Sequence, residues 1–324
     1  MGVLKQQTGR TASTRGTILA AGVLAAACVA TLGAGSALAD PPAPTDGATT
    51  ACVTVKQLVP GAKCAYSYLP GIQTNERDMH GINLSHSNLT EAGLYSANLT
   101  VGILSDADLT GAGLDYAVLA NAKLHGTQLP GATLTYANLT GADLSDTNLT
   151  DADLSNADTE GIKLTGAKLT GVNLSVTNLA GMNLAGMNLT RVSLFHTNLN
   201  HANLGHANLT GADLGGANLT GADLDSANLG GAYLDSANLT GADLTGMQAF
   251  EVSLPQANLT GANLTRAGLT RANLDSANLG GANLTGANLS DADLTNADLA
   301  RANLSGATWT DGRICAAGSI GQCN

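Results

Sequence analysis

From Leu84 onward a leucine recurs at every fifth residue as far as position 309, without one shift of register. That period excludes most folds open to a chain of 324 residues. In an α-helix a step of five turns a side chain by about 140°, so the leucines would spiral over the whole surface and leave no apolar face. A straight strand fails as well, because its alternation has period two and an odd repeat throws successive leucines to opposite faces. What remains is a short extended piece followed by a turn that resets the phase. Leu fills the central place in 43 of 46 consecutive pentads, the exceptions being Thr159, Ala249 and Trp309. Two residues earlier the chain carries a small side chain, mostly Ala, with larger variants that include Ile82, Ile162, Met182, Met187, Val192 and Met247. The small residue and the Leu point inward, Asn or Asp between them points outward, and Gly, Ser, Asp and Thr fill the two turn places.

Runs such as GANLT GANLS DADLT, at 281–295, strongly resemble the pentapeptide-repeat family, whose signature is a five-residue A-[DN]-L-x-x unit. The resemblance covers residues 81–310 and implies an all-β fold, a right-handed quadrilateral β-helix with four pentads to a coil. At the usual strand spacing the rod is then roughly 55 Å long. Four pentads to a coil also mean that positions 20 apart stack. Asn178, Asn198, Asn218, Asn238, Asn258 and Asn278 form one column, whose amides are expected to hydrogen-bond along the axis. Thr220, Thr240 and Thr260 lie beside it. Burial of four leucines cannot offset the entropy of ordering twenty residues, so stability has to come from stacking.

Segments outside the repeat divide the rest of the chain. Residues 1–39 hold Lys5, Arg10 and Arg15, then an apolar run, then Ala37-Leu38-Ala39, and are expected to be a secretory signal peptide cleaved near Ala39. Residues 40–80 and 311–324 read as N- and C-terminal caps, each with a Cys pair. Cleavage leaves Cys52, Cys64, Cys315 and Cys323, an even number that suits an oxidising compartment. With a rod between them, Cys52 with Cys64 and Cys315 with Cys323 is the one pairing that needs neither the two ends to meet nor two chains to join. Trp309, in the last Leu place, is expected to plug the end of the bore.

Removal of the leader lowers the basic residues from 14 to 11 against 25 acids. Such a chain repels nucleic acid and anionic membranes, and the mature sequence holds no apolar run of bilayer length. No catalytic, cofactor or metal site is expected. His196, His201 and His206 step from face to face and do not converge; His86 and His206 share a column six coils apart. Asp223 and Asp243 stack on a flat wall without a cleft, and Asp151, Asp153 and Asp158 lack the central Gly and the bidentate Glu of a calcium loop. The N-x-[ST] sequons are the repeat itself.

Candidate partner contacts are the outward aromatic and irregular places: Tyr116 and Tyr136, 20 apart; Phe195 and His196, beyond the bulky Met182, Met187 and Val192; and Phe250, in the irregular belt 247–252. The bland alternative is local repair of the packing. The sequence thus leads to a secreted, non-enzymatic scaffold for a protein or cell-surface partner; it names no particular partner and fixes no oligomeric state. The family resemblance supplies a second reading, a DNA mimic that binds type II topoisomerases. A signal segment and a charge far below that of a duplex oppose it. An ice-binding wall is opposed by the shortness of the Thr column.

Overall fold

A computed structural model describes residues 51–324; the expected signal peptide, its cleavage near Ala39 and the start of the N-terminal cap lie outside the described residues. Each pentad is one short extended bridge and one turn. The small residue and the Leu are buried and the residue between them is turned out, as Ala97, Asn98 and Leu99 show. The turn is closed by the N–H of the small residue donating to the preceding Leu carbonyl, for example Ala97 N to Leu94 O at 3.0 Å. Its third residue has φ near +60°, the mark of a type II turn.

Four such turns bring the chain back above itself, and the coils join by parallel bridges between residues 20 apart. We number the four flat walls by their outward residues. Wall 1 runs through 83 and 103 to 303, wall 2 through 88 to 308, wall 3 through 93 to 293 and wall 4 through 98 to 298. Along each step the outward N–H donates down the axis and the Leu N–H donates up, as in Asn98 N to Arg77 O (2.8 Å) and Leu99 N to Val118 O (2.7 Å). Leucines and alanines fill the bore, nearly all of them 0–2 % exposed.

The coiling begins one turn earlier than the leucine count indicates. Lys63, Tyr68, Gln73 and Asp78 bridge to Asn83, Asn88, Gly93 and Asn98, so 61–80 is the first coil and not part of a cap. Its inward central places hold Cys64, Leu69, Thr74 and Met79. Only one is Leu, yet each is apolar or short and hydrogen-bonded, which is all the bore requires. Among the described residues the N-terminal cap is the segment from Cys52 to Val59, with one 3-10 turn at Val55–Gln57. With this coil the rod is about 60 Å long.

At the other end the chain reverses. Asn303 pairs antiparallel with Ile320 and Thr308 with Ile314, so the C-terminal cap covers walls 1 and 2. Walls 3 and 4 end at Asp293 and Asp298, which pair only backward. Trp309 is half-buried against the core, while Leu294 and Leu299 remain partly exposed. The ring therefore covers part of the bore and does not close it. Both cysteine pairs are bonded, Cys52–Cys64 and Cys315–Cys323, with Cα–Cα distances of 5.0 and 4.8 Å.

One interruption divides the rod. The bridges 158 to 178, 163 to 183 and 168 to 188 are missing among the described residues, while Asp153 to Asn173 on wall 3 is intact. Ladder bonds from Leu164, Leu169, Asn183 and Asn188 N–H groups are missing with them. The cause lies in the small-residue column of wall 1, where Ile162 stands directly beneath Met182. Ile82 has Gly102 above it and Met247 lies between Ala227 and Ala267, while the shorter Val172 and Val192 stack on wall 3 with their ladder intact. Two large side chains in adjacent coils overfill the bore and force the coils apart. On wall 4 Thr159 replaces Leu, and its hydroxyl donates to the Asn178 carbonyl at 2.7 Å in place of the lost ladder bond.

Candidate interaction surface

The outward surface is built from one repeated device. The Oδ1 of Asn or Asp accepts from both the N–H and the hydroxyl of the Thr or Ser two residues on, as in Asn238 with Thr240 at 3.1 and 2.6 Å. The free amide then reaches across to the neighbouring coil. Asn198 Nδ2 donates to Asn178 Oδ1 at 2.9 Å and Asn218 to Asn198 at 3.3 Å, two of the five steps of the expected amide ladder. At Asn238 the ladder changes partner and the amide donates to Thr220 Oγ1 at 3.0 Å.

Carboxylates enter the same turns. Asp143 accepts from the Ser145 hydroxyl at 2.6 Å, and this bond holds its carboxyl below the usual range; the Thr295 hydroxyl does the same for Asp293, and His80 for Asp78. Asp223 and Asp243 stack on wall 1 as expected, each engaged in its own turn. Asp151, Asp153 and Asp158 do not converge, and no group of three ligating side chains occurs among the described residues. The histidines at 196, 201 and 206 occupy three successive corners and have separate surroundings: His196 stands edge-on to Phe195 with centroids 4.1 Å apart, and His206 faces Asp225 at 3.8 Å.

Most exposed aromatics rise from this polar lattice at the corners, while Tyr68 and Tyr233 stand on the walls themselves. Tyr116 and Tyr136 stack with ring centroids 5.1 Å apart and planes 9° from parallel. Both occupy the left-handed turn position, φ 59° and 57°, which throws the ring outward. Tyr95 extends the stack edge-on at 5.6 Å. Phe195 and His196 lie over the next coil at Gly215 and Gly216, where an added Cβ would stand 3.1 Å from the Phe195 ring and would clash with the His196 ring. Phe250 stands apart on another corner, beneath the Arg271 guanidinium at 5.5 Å, and Arg271 also pairs with Glu251 at 2.8 Å. Beside it Ala249 leaves a small apolar cavity lined in part by Met247, Val252 and Leu254, so that belt has the form of packing repair.

Register brings the apolar corner residues together. Tyr95, Tyr116, Tyr136, Val176 and Phe195 all lie on the corner between walls 3 and 4, and all five are exposed. Tyr95 and Val176 escape the sequence reading because neither has a Tyr or Phe 20 residues away, as Tyr116 and Tyr136 have. The signal was there: Phe195 follows Tyr95 by five whole coils.

A continuous parallel coil with a filled bore and four flat walls defines a β-helical repeat protein. Eight copies of the family profile described as pentapeptide repeats match between residues 103 and 308. The chain belongs to the pentapeptide-repeat family. Among solved structures it is similar to HetL, a pentapeptide-repeat protein involved in heterocyst differentiation regulation in the cyanobacterium Nostoc sp. strain PCC 7120, at 35% identity over 77% of this chain and 92% of HetL, with a TM-score of 0.32. Rfr23 from the cyanobacterium Cyanothece 51142 is 30% identical over 31% of this chain and 82% of its own, with a TM-score of 0.31. QnrB1, a plasmid-mediated fluoroquinolone resistance protein, is 20% identical over 57% and 88%, with a TM-score of 0.30. No protein of curated function matches the chain. Among the described residues no helix is long and apolar enough to cross a membrane.

Proposed function

We infer that the chain is exported by its N-terminal leader and acts outside the cell as a non-enzymatic scaffold, presenting its walls to a protein or cell-surface partner. The observation that carries this reading is the contrast on the walls. Short polar side chains are engaged in their own turns, and four of the eight exposed aromatic groups, Tyr95, Tyr116, Tyr136 and Phe195, stand clear of them on one corner. Surfaces that bind other macromolecules concentrate exposed aromatic residues in this way. Support for the compartment comes from the two disulfides together with the leader pattern. A leucine-filled bore supports a binding role over a catalytic one, since ligand pockets are concave and polar at defined points.

Three measurements test it. Mass spectrometry of the protein from culture medium is expected to show a chain starting at Asp40. A chain retained in the cell with its leader intact removes the export half of the reading. Affinity capture with the mature chain, repeated with Phe195→Ala, is expected to recover a partner from the native surroundings that the variant loses. Turnover of a substrate by the pure chain overturns the non-enzymatic half.

A further inference from the structure

Charge is distributed over the four walls far less evenly than composition suggests. Assigning residues 61–310 to walls by register, with the corners at 15/16, 20/1, 5/6 and 10/11 of each coil, gives wall 1 four acids and four bases and wall 2 three acids and two bases. Wall 3 carries ten acids against Arg191 and Arg271, and wall 4 five acids against Arg77 alone. Every lysine of the coils, Lys63, Lys123, Lys163 and Lys168, stands on walls 1 and 2. The excess negative charge of the rod therefore lies on two adjoining walls, and the apolar corner of Tyr95, Tyr116, Tyr136, Val176 and Phe195 is the edge they share. A duplex-like surface would carry its charge all round, whereas this one has an acidic side and a nearly neutral side.

We propose that this corner, with the acidic walls on either side, is the docking surface for a cationic polypeptide that presents an apolar stripe, in its simplest form a basic amphipathic helix. The proposal rests on the scaffold reading above and names the chemistry of its partner. Charge complementarity selects the occupant: on walls 3 and 4, Glu91, Asp115, Asp151, Asp153, Asp158 and Glu160 flank the five apolar residues, and Arg191 is the one fixed cation on these two walls over the same coils. Dimensions agree. The corner from Tyr95 to Phe195 spans five coils, about 24 Å, and a helix of sixteen residues is also about 24 Å long. Continuity agrees too. Where the coil stack parts on walls 4, 1 and 2, the ladder holds on wall 3 and at the corner, with Asn156 N donating to Ser175 O at 2.9 Å and Val176 N to Phe195 O at 2.9 Å, so the docking edge stays unbroken.

The test is titration of the full chain into a fluorescein-labelled 18-residue helix of leucines on one face and lysines on the other, read by anisotropy. Three control peptides accompany it: the same composition with the leucines scattered round the helix, a Glu-for-Lys counterpart, and an unlabelled competitor. A corner variant, Tyr116→Ser with Tyr136→Ser and Phe195→Ser, uses a residue already found in these columns at Ser96, Ser155 and Ser175, so the fold is kept. It is expected to weaken binding about tenfold or more. Asp151→Asn with Asp153→Asn and Asp158→Asn is expected to weaken it comparably and to flatten its salt dependence. Phe250→Thr, on another corner, and Asp223→Asn with Asp243→Asn, on wall 1, are expected to change it less than about twofold.

Equal losses in the wall 1 variant, or equal affinity for the scattered peptide, overturn the proposal by reducing it to general electrostatics. So does absence of binding, or a chain that dimerises in sedimentation and becomes monomeric in the corner variant. Should affinity capture recover a partner that the corner variant still holds, the scaffold reading survives and this surface does not.

Discussion

At the scale of single residues the coil depends on one demanding backbone position. The third residue of every turn is left-handed, and Gly fills it in many turns but not all. Val101 and Val176 adopt φ of 50° and 60° there, a conformation in which a β-branched side chain is strained. Val101 is exposed and makes no packing contact in the core, so Val101→Gly is expected to raise stability by about 1 kcal/mol even after the greater freedom of glycine in the unfolded chain is offset. Chemical denaturation measures it, and a lower midpoint refutes the strain. The turn hydrogen bonds also set the response to acid. Asp78, Asp143 and Asp293 have carboxyl groups held below the usual 3.8 by hydrogen bonds, so their stabilisation is present above that value. It is lost as the pH falls through their lower folded values. The denaturant midpoint is expected to stay level toward pH 4 and then to fall, with a shallower fall in Asp143→Asn.

At the scale of the coil, packing inside the bore decides which turns hold together. Deuterium exchange is expected to be fast at the amides of Leu164, Leu169, Asn183 and Asn188, which lack ladder partners, and slow at Leu144, Leu149 and Asn203, which have them. Met182→Ala removes the upper of two stacked large side chains and is expected to restore protection at Leu164 and Asn183 by at least about tenfold. Unchanged exchange would place the cause elsewhere. The belt at 247–252 has the opposite defect. Ala249 leaves space that Met247 and Val252 partly fill, so Ala249→Leu alone overpacks, whereas Ala249→Leu with Met247→Ala returns both places to the repeat and is expected to match or exceed the parent in melting temperature. The existence of coils was legible from the leucine period. The extra coil at 61–80 was not, because the bore accepts Cys64, Thr74 and Met79 as readily as Leu once the stack above is formed. The gap at 158–188 was not legible either. Ile162 and Met182 were each visible as bulky residues, but their effect arises from lying one above the other.

At the scale of the molecule, stability is the sum of contacts between neighbouring coils, so the ends should fail separately from the middle. The amides of Leu304 and Gly306 donate to Ser319 and Cys315 of the C-terminal cap. Cys315→Ser opens an eight-residue separation and is expected to loosen that cap by about 2 to 3 kcal/mol. Exchange at those two amides should quicken while exchange in the central coils stays as it was; a loss spread along the whole rod would show the ends to be coupled. The open edges of walls 3 and 4 finish at Asp293 and Asp298, charges that discourage another chain from adding to them.

The sequence by itself determined the coil, the direction of nearly every side chain, the disulfide partners and the family, because a five-residue period has one backbone solution and each pentad repeats the same local chemistry. It also held the register that joins Tyr95 to Phe195. Only the tertiary structure decided where the stack parts, how far Trp309 covers the bore, and which walls the C-terminal cap leaves open. These depend on side chains from different coils competing for the same volume, and a local pattern carries no information about what lies twenty residues away until the coils are stacked.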